Sequence, residues 1–197
     1  MDAVRDTVRE RILASAKTEI AQYGIAGARV ERIARRARTS KERLYAYFPG
    51  KRALFDEVML RRYARMAQMA PLDADDLPGF VGRLFDFYTG DPEELRLHRW
   101  GALEDNAGPY PRSARLREGV EQIAQAQRNG TVEASWPPLD LLNLLVMLAM
   151  GWQSAPVVAR QLASQAAGTQ ELASHRKSAV EAARRLVTPR DASDIKS

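Results

Sequence analysis

The stretch from Thr39 to Arg52, Thr-Ser-Lys-Glu-Arg-Leu-Tyr-Ala-Tyr-Phe-Pro-Gly-Lys-Arg, gathers hydroxyls, cations and phenols at helical spacing. Ser40 is placed to cap a short helix, its hydroxyl accepting from the free amides of the first turn. Leu44 and Phe48 lie four apart and predict one buried stripe. Lys41, Arg43, Tyr45 and Tyr47 fall on the remaining surface, and Pro49-Gly50 stops the helix before Lys51-Arg52 opens the next. Cations and phenols hydrogen-bond phosphates, and the first turn of such a helix reaches base edges in a major groove. On this window alone, a solvated helix held down by Leu44 and Phe48 accounts for the pattern equally well.

The residues upstream decide between the two. Val30, Ile33, Ala34 and Ala37 recur at helical spacing, and the apolar pattern restarts at Leu44. Two short helices joined by a turn of a few residues make a helix-turn-helix. The whole segment resembles the DNA-binding domain of the TetR family of transcriptional regulators. The matching residues are Ile12-Leu13-x-x-Ala16, Tyr23-Gly24, Val30-x-x-Ile33-Ala34-x-x-Ala37 and Ser40-Lys41-x-x-Leu44-Tyr45-x-Tyr47-Phe48-x-x-Lys51-x-x-Leu54, within residues 10–60. The resemblance implies a DNA-contacting set of Arg29, Thr39, Ser40, Lys41, Glu42, Arg43, Tyr45, Tyr47 and Lys51. It also implies that cations near the start of the first helix (Arg5, Arg9, Arg11) approach the DNA backbone.

Three positions depart from the family pattern. Glycine usually stands in the turn before the recognition helix, where the backbone turns left-handed, and here Arg38 occupies it. Thr or Ser usually caps the second helix, and Arg29 stands there. A small residue usually follows Ser-Lys, and this chain has Glu42, which bears on operator sequence.

The chain of 197 residues is long enough for one or two domains with a buried core. It lacks cysteine, which excludes a disulfide framework and thiolate metal sites. The N-terminus has no signal-peptide pattern, and the longest apolar run, Leu144–Met150, is far short of a membrane span. A cytoplasmic protein is expected. Net charge is +5, unevenly spread: residues 1–65 hold 16 Lys/Arg against 8 Asp/Glu, and residues 66–197 hold 14 against 17. A basic head on a mildly acidic body is the electrostatic pattern of a nucleic-acid module joined to a module with another task.

Periodicity places the first helix on the stripe Val8, Ile12, Ala16, Ile20 and Tyr23, with Thr7-x-x-Glu10 readable as a capping box. Later helices are expected from Lys51 to Ala70, over Phe80–Tyr88, from Asp91-Pro92, over Leu139–Trp152, and over roughly 170–187. No strand pattern or repeat is present. The fold predicted is all-α: a three-helix helix-turn-helix domain over 1–50 and a helical ligand-binding and dimerisation domain over 51–197.

Catalytic and metal-binding constellations are missing from the pattern, and no cofactor is expected. The body is rich in aromatic and methionine side chains, which suit an apolar cavity with a few polar tips. Phe85, Tyr88, His98, Trp100, Tyr110, Met147 and Trp152 are the candidate ligand residues, chosen by composition and spacing. For dimerisation the candidates are Leu142, Leu145, Leu172, Ala179, Val180, Ala183 and Leu186, on the two helices that pair in TetR-like proteins. Partners implied are double-stranded DNA with a near-palindromic operator, a second copy of the chain, and a small apolar effector, with no membrane. A ligand-responsive regulator, most often a repressor in this family, uses both halves. An architectural DNA binder or a helical enzyme or carrier are the alternatives.

Overall fold

Apolar residues three and four apart give the first helix its buried stripe, and it is the longest element of the chain. The structure, a computed structural model, describes residues 2–104, 112–156, 158, 161 and 171–189. Helix α1 runs Asp2–Gly27, α2 Val30–Arg36, α3 Lys41–Tyr47, α4 Lys51–Met69, α5 Leu77–Gly90, α6 Pro92–Leu103, α7 Arg112–Arg128, α8 Pro138–Gly151 and α9 Glu171–Val187. A single 3-10 turn, Ala74–Asp76, precedes α5, and no strand occurs among the described residues. The expected all-α architecture is the observed one.

Contacts divide the chain into two compact units: residues 1–65 with 91–110, and residues 66–90 with 111–197. In the first, Val8, Ile12, Ala16 and Ile20 of α1 meet Ile33 of α2, Leu44 of α3 and Phe55 of α4 in one core. Leu97 of α6 has no exposed surface and belongs to the same core. Helix α6 thus completes the first unit although α5, before it in sequence, belongs to the second. Asp91 caps α6 by accepting from the Glu93 amide at 3.0 Å, as the Asp-Pro-Glu-Glu start predicts.

Two expectations about α1 are corrected. The helix begins at Asp2, so Thr7 lies inside it and forms no capping box; Glu10 instead pairs with Arg61. Tyr23 is off the buried stripe because α1 kinks at Gly24, whose φ of 67° and ψ of 179° suit glycine alone. The kink leaves Tyr23 exposed, with the Arg32 guanidinium 4.4 Å over its ring.

In the second unit, α5 is buried almost all round by Phe80, Val81, Leu84, Phe85, Phe87 and Tyr88. Helices α8 and α9 both pack on it. Gly82 permits the approach of α9: a Cβ there would lie 3.2 Å from Val180 Cγ2 and 2.8 Å from Arg176 Nη2. Arg176 bonds Asp86 of α5 at 2.8 Å. Gln127 closes the α7–α8 connection, its amide donating to the Glu133 and Trp136 carbonyls at 2.8 Å each. No helix among the described residues is long and apolar enough to cross a membrane.

Candidate nucleic-acid interface

Helix α2 ends in a Schellman turn. The Thr39 amide donates to the Ala34 carbonyl at 3.0 Å and the Arg38 amide to Arg35 at 3.2 Å, with Arg38 left-handed at φ 51°. Arg38 is the only non-glycine residue at positive φ among those described. A side chain in that conformation costs about 1–2 kcal/mol that glycine would not. The turn therefore keeps the geometry expected of it, with arginine under strain in place of glycine.

The turn delivers Ser40 to the start of α3, where its hydroxyl accepts from the Arg43 amide at 3.1 Å. Leu44 and Phe48 are buried, as expected. Lys41, Glu42, Arg43 and Tyr45 are exposed on the opposite face. The Glu42 carboxyl is held below its ordinary value by its own backbone amide and by Ser40. Lys41 reaches Glu31 of α2 at 2.5 Å, which raises the lysine and lowers the glutamate. Tyr47 is half-buried and packs against the core, and the Thr39 hydroxyl is buried without a hydrogen-bond partner. Lys51 gives two of its three donors to the Ala26 and Ala28 carbonyls, both at 3.3 Å. That leaves one donor on an exposed ammonium beside α3.

Arg29 is exposed at the N-cap of α2 and makes no side-chain cap. Glu19 of α1 holds this N-cap residue by its backbone: its Oε1 accepts from the Arg29 amide at 3.1 Å and from Arg32 Nε at 2.6 Å. Glu19 has no exposed surface. Sequence periodicity offered no sign of this role, since a carboxylate on a buried stripe reads there only as a mismatch.

Most cations of the first unit are consumed internally. Arg9 pairs with Glu57 at 2.7 Å, and Arg11 Nε donates to the Ala37 carbonyl at 3.0 Å. The side chain of Arg5 lies outside the described residues. Lys17, Arg62 and Arg65 converge on Asp91 and Glu94, and Arg52 pairs with Asp56. Among the described residues Arg29, Arg35, Arg38 and Arg43 carry exposed guanidiniums with no ion pair or hydrogen bond, as do Arg96 of α6 and Arg115 and Arg117 of α7. The first four lie on the helix-turn-helix. Arg35 and Arg38 were not singled out from sequence as contacts, because charge alone does not tell a paired arginine from an unpaired one.

The candidate ligand residues do not form one group. His98 and Trp100 are on α6 in the first unit, where Trp100 Nε1 donates to the Ala21 carbonyl at 3.3 Å and its ring covers Gly24. Tyr88 is buried in the second unit with its hydroxyl near Met66 sulfur, Met147 is exposed, and Tyr110 lies outside the described residues. Phe85 and Trp152 do meet, lining an open hollow of about 260 Å³ with Leu148, His175, Ser178 and Ala182. The His175 ring stacks on Trp152 with centroids 3.5 Å apart. Of the dimerisation candidates, Leu142, Leu145, Ala179 and Ala183 are buried within their own unit and Val180 faces Gly82. Leu186 is half-buried and Leu172 is exposed.

A capped recognition helix with an unpaired cationic rim, mounted on a core of α1 to α4 and α6, defines a helix-turn-helix DNA-binding protein. Residues 12–58 match the family described as bacterial regulatory proteins, tetR family, and residues 76–185 match the tetracyclin repressor-like C-terminal domain. The chain belongs to the TetR family of transcriptional regulators. It is 37% identical over 192 residues to the HTH-type transcriptional repressor SCO4008 of Streptomyces coelicolor, covering 94% of this chain and 98% of that one. Among solved structures it is similar to SCO4942 of Streptomyces coelicolor, described as a transcriptional regulator: TM-score 0.83, 40% identity, 91% of this chain and 98% of that one. A TetR family regulator from Marinobacter aquaeolei shares the fold, with TM-score 0.72, 24% identity and coverage of 96% and 100%.

Proposed function

We propose that this protein is a homodimeric repressor that reads a near-palindromic operator and releases it when a small, largely apolar effector binds the second unit. The observation carrying the DNA half is the exposed face of α3, where Lys41, Glu42, Arg43 and Tyr45 stand clear of the core. One helix-turn-helix covers few base pairs, so two heads on half-sites about 34–36 Å apart supply the specificity. The relative SCO4008 is named a repressor, which supports repression as the mode. Lys41, Glu42 and Arg43 approach bases; Arg29, Thr39, Ser40, Tyr45, Tyr47 and Lys51 position the head on the backbone.

For the dimer, α8 and α9 present Leu139, Met147 and Leu172, which are exposed in the single chain, whereas Leu142, Leu145, Ala179 and Ala183 are buried within it. For the effector, the hollow beside Trp152 and His175 is the candidate seat, with stacked rings suited to a flat apolar molecule. Effector and DNA must prefer different conformations, since a ligand of equal affinity for both shifts nothing.

The test is selection of duplexes from a randomised pool, followed by affinity measurements with the selected site. Arg43→Ala should weaken the selected duplex by about 1–3 kcal/mol and relax its base preference, with little change on unrelated DNA. Equal affinity of the wild type for every duplex would sink the operator-reading function. Loss of sequence preference in the presence of an effector, with operator weakening that effector by the same factor, completes the case.

A further inference from the structure

We infer that Arg38 grips a DNA backbone phosphate, and that the left-handed turn holds an arginine, at a cost in stability, for that contact. The inference rests on the DNA-binding reading above and adds a residue that its contact set does not contain. Arg38 sits at φ 51°, a conformation that a glycine would adopt without strain. The bonds that make the turn run through backbone amides, Thr39 to Ala34 and Arg38 to Arg35, and need no side chain. The side chain is exposed, packs into no core, and its guanidinium meets no carboxylate or carbonyl among the described residues. Strain with no return inside the molecule points to a return outside it.

The chemistry of the surroundings names the partner. Arg38 lies between Arg35 and Arg43, both exposed and unpaired, so the three form a cationic rim about the entry to α3. Elsewhere in this unit Arg9, Arg32, Arg52, Arg61, Arg62 and Arg65 are matched by carboxylates, while Arg29 and Arg96 are exposed and unpaired. A planar guanidinium with five donors fits a phosphate bidentately. In helix-turn-helix docking the helix before the turn crosses the DNA backbone while the next enters the groove. A residue in the turn between them is therefore placed at the groove edge, where phosphates run.

The full-length chain, with Arg38→Gly and Arg38→Lys variants, is measured in two ways. Unfolding in urea reports strain; binding to the pool-selected duplex and to an unrelated duplex of equal length, across salt concentrations, reports the contact. Arg38→Gly should raise the unfolding midpoint and yet weaken both duplexes by about tenfold, flattening the log K against log salt slope by roughly one unit per head. Arg38→Lys should keep the wild-type slope. Opposite movement of stability and affinity is the signature, because a merely structural residue moves both together or stability alone. Wild-type affinity and slope in Arg38→Gly would overturn the inference, as would a loss confined to the selected duplex, which would make Arg38 a base reader. A fall in the unfolding midpoint would refute the strain on which it stands. If the wild type selects no sequence from the pool, the operator-reading function fails, and the phosphate contact is still decided by the slope on the unrelated duplex.

Discussion

Glu19 ties α1 to the start of α2. It reaches across ten residues to accept from the Arg29 amide, and the same oxygen holds Arg32. Glu19→Ala should destabilise the chain by about 1–3 kcal/mol, since it leaves a part-buried amide and a guanidinium without their carboxylate. An arginine side chain has donors only, so Arg29→Thr, which offers a hydroxyl to the first-turn amides, should stabilise α2 independently of Glu19. Urea midpoints of the two single variants and the double supply the measure, and an unchanged midpoint in Glu19→Ala would deny it a part in holding α2. The contrast with Ser40 shows what was legible. Ser40 caps an amide three residues away, and local spacing is visible in a sequence. Glu19 acts through tertiary proximity, and in a one-dimensional pattern it reads only as a charge among apolar residues.

At the scale of elements, α6 has the most unexpected place. Its start at Asp91-Pro92 was readable, because caps are local. Its partner was not, since periodicity tells which face is apolar and never what covers it. Trp100 and His98 were grouped with the cavity aromatics of the body on composition, yet α6 packs on α1. The junction is ionic as well as apolar: Lys17 of α1 meets Asp91 at 2.5 Å and Glu94 at 2.9 Å. Burial pushes the Asp91 carboxyl up, but the Lys17 ammonium and the Glu93 amide outweigh it and hold it below its ordinary 3.8. Burial likewise pushes Lys17 down, and its two carboxylates bring it above its ordinary 10.5. A carboxyl lowered by folding stabilises the native state above its unfolded value, and the contribution disappears as pH falls through the folded one. For a raised lysine the contribution is complete below 10.5 and is lost as pH rises through the folded value. Asp91→Asn keeps a capping side chain and removes the charge. Its stability deficit should be full at pH 7 and shrink as the pH falls below about 4, read from urea midpoints across that range. An equal deficit at pH 3 and pH 7 would remove the ion pair as its cause.

For the whole molecule, the division of labour was legible in charge: +8 over residues 1–65 and −3 over the remainder. The paths between the two functions were not, because chain crossings are a property of packing. The chain passes between its compact units at 65/66, 90/91 and 110/111, so three covalent connections join them. The first unit is accordingly not an N-terminal piece that can be cut free. A fragment ending at residue 70 loses Leu97 from the core, Trp100 from the α1 kink and the three carboxylates that face Lys17. Burying a leucine contributes about 1.5–3 kcal/mol by itself. Such a fragment should show a much lower unfolding midpoint than the full chain, by circular dichroism, and weaker DNA binding. A fragment as stable as the first unit of the full chain would show α6 to be dispensable.

The return of α6 to the first unit also has a consequence in time. During synthesis the residues of α1 to α4 emerge well before Leu97 does, and they wait with an open seat in their core. At about 5–20 residues per second, the 38 residues from Met66 through Leu103 occupy the ribosome for roughly 2–8 s. A nascent chain therefore has no finished DNA-reading head to offer until the regulatory half is already being made. A message broken before α6 yields a polypeptide whose DNA-binding unit lacks Leu97 from its core.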